Sequence, residues 1–273
     1  MARLFLLCAG AGAAAVAAML IGLHAPAHRA HAQAAPACTA PAELARFTQR
    51  LPRLAEGLAK HRPITIIAIG SSSTAGVGAS SPAATYPARL ETLLRERTPG
   101  VGMINVLNRG VGGEEIREML ARFDRDVLAE KPDLVLWQLG TNSVLHDHEI
   151  SGNGALLAGQ LAGLKSTGAD VVLINPQYAP KVLAHPDITA MVELISATAK
   201  ASNVELFDRF GVMKYWRETR DMPFEAFLNP DLLHMNDWGY DCLAQLLTKA
   251  ITDSATRAPL TAGVPLLPVT TRR

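Results

Sequence analysis

Cysteine, net charge and nucleotide-binding signatures are what this sequence has little of. Three of its 273 residues are cysteine, and 26 Lys and Arg stand against 25 Asp and Glu, a net charge of +1. A chain so evenly balanced carries no long-range field toward nucleic acid or an anionic membrane surface. Its function has to come from a local site. With no CxxC and no Cys/His ligand spacing, the sequence offers no case for zinc. The segment GSSSTAGVGAS from Gly70 lacks the Lys-Ser/Thr ending of a phosphate-binding loop, and NRGVGGEE from Asn108 lacks G-x-G-x-x-G spacing. Nucleotide binding therefore fails on both segments, and a G-x-S-x-G nucleophile elbow is missing too. What remains is ordinary globular material, 49% hydrophobic and 19% charged.

The first residues, MARLFLLCAGAGAAAVAAMLIGL, carry Arg3 and an Ala-rich apolar stretch, and Ala30-His31-Ala32 follows with A-x-A character. That pattern predicts a signal peptide over 1–32, removed after Ala32, and a periplasmic or secreted protein. An uncleaved anchor is the alternative, since the stretch approaches the length of a membrane span. Cys8 falls in this segment, early in the apolar run and without a lipobox. Cys38 and Cys242 remain, either as a disulfide tying the amino-terminal segment to the last helix or as two unpaired thiols.

Short apolar runs then alternate with amphipathic ones. ITIIAIG, GMINVLN, DLVLWQLG, DVVLINP and NVELFD read as buried strands, and TYPARLETLLRER, EEIREMLARFDRDVLAE, GALLAGQLAGLKSTG and ITAMVELISATAK as helices. Repeated βαβ predicts a three-layer α/β/α sandwich on a mostly parallel five-stranded sheet, flavodoxin-like in plan. One domain is expected over 33–255, with an extra helix over about 41–60 before the first strand and a last helix near MNDWGYDCLAQLLTKAI. A Pro-rich tail follows over 256–273.

Four polar loops fall where strands end, the place where open parallel sheets bind ligands. They read Gly70-Ser71-Ser72-Ser73-Thr74-Ala75-Gly76, Asn108-Arg109-Gly110-Val111-Gly112-Gly113, Gly140-Thr141-Asn142-Ser143 and Asp231-Leu232-Leu233-His234. Singly, each has a plain structural reading: a turn serine, a tight-turn Asn, a capping Asp, a half-buried His. In this order the set resembles the SGNH (GDSL-type) hydrolases, over about Ile64 to Leu247. Ser71 and Ser143 depart from that pattern, standing where the family usually has Asp.

The resemblance implies a serine hydrolase with Ser72 as nucleophile, His234 as general base and Asp231 as its orienting acid. Its oxyanion donors would be the amides of Ser72 and Gly113 and the side chain of Asn142. It implies no cofactor and no metal. Together with the exported address it points to acyl or acetyl esters on carbohydrates or cell-envelope glycans. A lipid esterase, thioesterase or acyltransferase would use the same triad, and a glycan-binding protein without turnover is the alternative of another class. Arg109, Tyr178 and His146 are candidates for the substrate mouth. His146, Asp147 and His148 also raise a metal reading, against which solvated loop residues are the simpler account.

Overall fold

A computed structural model of the chain describes residues 36–146 and 150–258. The expected signal segment, Asp147, His148 and nearly all of the Pro-rich tail lie outside the described residues. In chain order the elements are α1 (Pro52–Ala59), β1 (Ile64–Gly70), α2 (Ser72–Ala75), α3 (Tyr86–Arg97), β2 (Ile104–Gly110), α4 (Ile116–Ala121), α5 (Phe123–Asp126), β3 (Leu134–Gln138), α6 (Thr141–Leu145), α7 (Asn153–Ser166), β4 (Asp170–Ile174), α8 (Pro180–Leu183), α9 (Ile188–Ala201), β5 (Glu205–Phe207), α10 (Arg209–Lys214) and α11 (Asp237–Thr256).

The five strands form one sheet in the order β2-β1-β3-β4-β5, every neighbouring pair parallel. Parallel strands need crossover helices, and those helices cover both faces. This is why β3 and β4 are buried at every position instead of alternating. Ile67, Leu136, Trp137, Val172 and Leu173 are fully enclosed. Each such side chain contributes about 1.5–3 kcal/mol of burial free energy. The edge strand β2 is half-exposed, and α3 caps its outer backbone, with Glu91 Oε2 accepting from Val106 N and Arg95 Nε donating to Ile104 O.

Two expected helices come out differently. The run EEIREMLARFDRDVLAE is not one helix: it breaks at Arg122 between α4 and α5, where the guanidinium turns inward to Glu114 and Asp126. The helix expected over about 41–60 is confined to α1. Pro52 opens it, at a position where a missing N–H is harmless. The amides of Thr48 and Gln49, which a longer helix would use, are held by the Glu205 carboxylate instead.

The segment before α1 runs along α11. Cys38 and Cys242 form a disulfide at one end. Trp216 Nε1 donates to Thr39 O, and Trp238 Nε1 to Pro36 O. At the other end Ser254 Oγ donates to Gln49 O and Arg257 to Phe47 O and Thr48 O. No helix among the described residues is long and apolar enough to cross a membrane.

Candidate active site

Strand β1 delivers the serines. It ends at Gly70, where a Cβ would lie 2.3 Å from Thr74 Oγ1 and 2.8 Å from Gln138 Oε1, so only glycine lets the chain turn there. Ser71 caps the single turn of α2, Ser72 opens it, and Gly76 closes it in the left-handed region at φ 95°. Of the three serines, Ser71 and Ser73 are buried and Ser72 is partly accessible. Gln138, at the end of β3, clamps this turn. Its Oε1 accepts from Ser71 N (2.9 Å), Ser71 Oγ (3.1 Å) and Thr74 Oγ1 (3.2 Å). Because a backbone N–H can only donate, the amide's orientation is forced, and Nε2 is left buried without a partner.

The Asp231–His234 turn meets Ser72 from the other side. His234 Nε2 lies 2.8 Å from Ser72 Oγ, and His234 Nδ1 lies 2.5 Å from Asp231 Oδ2. The second Asp231 oxygen accepts from Leu233 N (3.0 Å) and His234 N (2.9 Å), locking the turn. Burial pushes the Asp231 carboxyl up, but the bonds from the His234 ring and the two amides outweigh it and hold the group below the ordinary carboxylate range. An ionised Asp231 can only accept, so Nδ1 carries the proton and Nε2 is free to accept from the Ser72 hydroxyl. Leu232, between them, sits at φ 58°, a left-handed conformation costly for a leucine. Asn229 frames the turn: its amide N donates to His234 O, and its side chain donates to Gly78 O and Met235 O.

The third side is built from β2 and α6. Gly110 must be glycine because α2 presses on it, with Ala75 N only 2.1 Å from where a Cβ would stand. Asn108 ties the same two segments, donating from Nδ2 to Thr74 O at 2.8 Å. Gly112 faces Ser72, its would-be Cβ 3.9 Å from the Ser72 Cβ. Gly113 is exposed at φ 83°. The next residue, Glu114, accepts Asn142 Nδ2 on its backbone oxygen at 2.8 Å, so Asn142, at the start of α6, sits beside the Gly113 turn with a second amide hydrogen uncommitted. The Glu114 side chain is held by Arg122 at 2.6 Å. Asp126 flanks the same guanidinium, its carboxyl held far below the ordinary range by Arg125 and then Arg122.

Beneath these loops lies a charge the sequence reading missed. Arg209, 1% exposed, donates from Nε to Asn175 O (2.9 Å) and from Nη2 to Gln177 Oε1 (2.8 Å), while Nη1 is buried without a partner. No carboxylate pairs with it among the described residues. Burial pushes the guanidinium down to about 10, with the phenols of Tyr240 and Tyr86 acting in the opposite sense.

The candidates for the substrate mouth are all engaged. Arg109 Nη2 pairs with Glu130 at 2.7 Å, and His146 Nδ1 lies 2.9 Å from Glu115 Oε1. Tyr178 donates its hydroxyl to Glu218 at 2.5 Å and meets Phe210 edge-on; burial and then Glu218 push its phenol up to about 12. No group of three His, Cys, Asp or Glu among the described residues is arranged to hold a metal.

A parallel three-layer sheet that gathers a Ser–His–Asp relay at its carboxyl edge defines a broad class of α/β folds. Within it, residues 37–257 match the model of the Non-GDSL lipase-like family, and the chain belongs to that family. This corrects the resemblance to SGNH (GDSL-type) hydrolases drawn from the four loops. The match is to a family set apart from that group, and the Ser71 and Ser143 departures are features of this chain's own site. Ser71, in the usual Asp position, is the buried partner of Gln138, and Ser143 Oγ is buried without a partner.

A 65-residue stretch is 37% identical to an acetylxylan esterase of Geobacillus stearothermophilus, covering 24% of this chain and 29% of that relative. The chain thus spans less than a third of that relative's length in the match. Among solved structures, Axe2, an acetylxylan esterase from the same organism, aligns with TM-score 0.57 and 22% identity over 72% of this chain and 97% of that one. A two-domain esterase active on acetylated mannans aligns with TM-score 0.64 and 20% identity, over 80% of this chain and 59% of that one. At such identities the likeness establishes the fold.

Proposed function

We propose that the protein is a serine esterase that removes acyl groups, acetyl foremost, from carbohydrate hydroxyls. The observation that carries this is the continuous relay Ser72–His234–Asp231, with contacts of 2.8 and 2.5 Å and a partly accessible serine at its end. Ser72 Oγ attacks the ester carbonyl while His234 Nε2 takes its proton. As the Oγ–C bond forms, the carbonyl π pair moves to the carbonyl oxygen, and that oxyanion is met by the amides of Ser72 and Gly113 and the free amide hydrogen of Asn142. Collapse re-forms the carbonyl and breaks the bond to the sugar oxygen, which takes the proton from His234 and leaves as the free hydroxyl. Water, deprotonated by His234, then releases the acid from the acyl-serine. Asp231 stays ionised throughout, fixing the ring and offsetting its charge.

Carbohydrate substrates are supported by the acetylxylan esterase match and by the folds of Axe2 and the mannan-active esterase. A disulfide spanning the domain fits an oxidising compartment, in keeping with export by a signal peptide over 1–32. Hydrolysis of para-nitrophenyl acetate and deacetylation of acetylated xylan and mannan oligosaccharides by the chain from Gln33 onward test the reading, with Ser72→Ala as control. Release that persists unchanged in Ser72→Ala would remove the nucleophile. Binding of these glycans with no turnover would make the protein a glycan-binding relative.

A further inference from the structure

A fully buried arginine without a counter-ion is an expensive feature, because desolvation of the guanidinium is not offset by a carboxylate. Arg209 is such a residue, and what it touches suggests what offsets the cost. Its Nη2 donates to Gln177 Oε1, which also accepts from Thr141 Oγ1 at 2.9 Å. The Gln177 amide nitrogen reaches Leu233 O at 3.4 Å. Thr141 immediately precedes Asn142, and Leu233 immediately precedes His234. Gln177 is 1% exposed and Thr141 3% exposed, so the bonds from Arg209 and Thr141 to Gln177 Oε1 are shielded from bulk water, while the one to Leu233 O is partly buried.

We propose that Arg209, acting through Gln177, is a positioning residue of the proposed esterase that joins the helix bearing the oxyanion amide to the turn bearing the general base. The forked geometry matters. Nε bonds the Asn175 carbonyl while Nη2 orients the Gln177 carboxamide, so that its oxygen faces Arg209 and Thr141 and its nitrogen faces Leu233. With the amide reversed, Arg209 and Thr141 would meet a donor and Leu233 O would lose one. The two sides of the reacting carbonyl are therefore held at a fixed separation by one buried side chain, before any substrate arrives.

This inference rests on the esterase reading, and its test separates the two. Thr141→Val removes one hydroxyl with little change of volume, Thr141→Ser restores it, and Arg209→Lys keeps the charge but cannot span Asn175 O and Gln177 Oε1 at once. With para-nitrophenyl acetate, Thr141→Val and Arg209→Lys are expected to lose about tenfold or more in kcat with KM changed less than about twofold, the pattern of misplaced groups and not of lost binding. Thr141→Ser is expected to recover to within about twofold of wild type. Should Arg209→Lys fail to fold, the two Thr141 variants decide alone. Folded variants with wild-type kcat, or a loss that Thr141→Ser does not recover, would overturn the inference. If the wild type shows no Ser72-dependent turnover, the esterase reading falls and the His234 ring proton resonances become the judge. An altered or doubled Nδ1 proton signal in Thr141→Val, restored in Thr141→Ser, supports the positioning role, and an unchanged signal in Thr141→Val refutes it.

Discussion

The two edges of the sheet use their polar groups in opposite ways. At the amino edge, carboxylates sit at the starts of three neighbouring strands and take up the incoming chain. Asp133 accepts from Thr65 N and pairs with Arg53 and Arg62, Asp170 accepts from Leu54 N, and Glu205 accepts from Thr48 N, Thr48 Oγ1 and Gln49 N. At the carboxyl edge, polar atoms are left over. Arg109 Nε, Gln138 Nε2, Ser143 Oγ and Arg209 Nη1 are buried without partners there, against Arg50 Nε at the amino edge, while left-handed residues occur at both, Leu232 at the carboxyl edge and His61, Lys131 and Asn203 ahead of β1, β3 and β5. One edge is arranged to hold the chain. The other keeps more unspent hydrogen-bonding capacity, beside Ser72, where sites of chemistry concentrate it.

If that division is right, substitutions at the carboxyl edge should cost turnover with little stability, and those at the amino edge the reverse. The largest effect belongs to Ser72→Ala and Asp231→Asn, for which a kcat loss of about 10⁴-fold or more is expected. Thermal unfolding of both variants should stay near wild type; a large drop in Tm would break the comparison. Reducing the Cys38–Cys242 disulfide, or Cys38→Ser with Cys242→Ser, should cost about 2–4 kcal/mol of stability, because the bond closes most of the chain. The measurement is denaturant unfolding, with kcat at 25 °C expected to hold. Asn142→Ala should lower kcat about a hundredfold, the scale of one oxyanion donor. A near-wild-type rate would take it out of that role.

Much of the site was legible because its parts sit at strand ends: GSSSTAG, NRGVGGEE, GTNSV and DLLH all come out around Ser72. The contacts among them were less so. Gln138 looks like the polar end of a buried strand, and nothing local in DLVLWQLG says that its carboxamide holds the Ser71 turn. Arg209 follows β5 in a segment that reads as an ordinary helix start, and its burial is decided by Asn175 and Gln177 from another connection. The family was misjudged for a related reason: short loops report the chemistry they can support, whereas a family is defined over the whole domain. The start of α1 at Pro52 was hidden because Glu205, about 150 residues away, holds the amides of Thr48 and Gln49 that a longer helix would have used.

The smallest expected effect tests the amino edge through its one strongly perturbed acid. Burial pushes the Asp170 carboxyl up to about 6, and the nearby Asp133 adds to this, against the lowering by the Leu54 and Arg53 amides. A carboxyl whose folded value lies above its unfolded one binds its proton more tightly in the native state. Its contribution is therefore fully favourable below about pH 4 and is lost as the pH rises toward 6, by roughly 2 kcal/mol. Asp170→Asn cannot ionise, so it removes that dependence while its amide oxygen still accepts from Leu54 N. Tm measured against pH should fall less steeply between pH 4 and 6 in the variant than in wild type, with kcat unchanged at pH 7. Parallel curves would mean that Asp170 ionises as readily in the folded chain as in the unfolded one. The amino edge would then be a solvated surface and not a buried anchor.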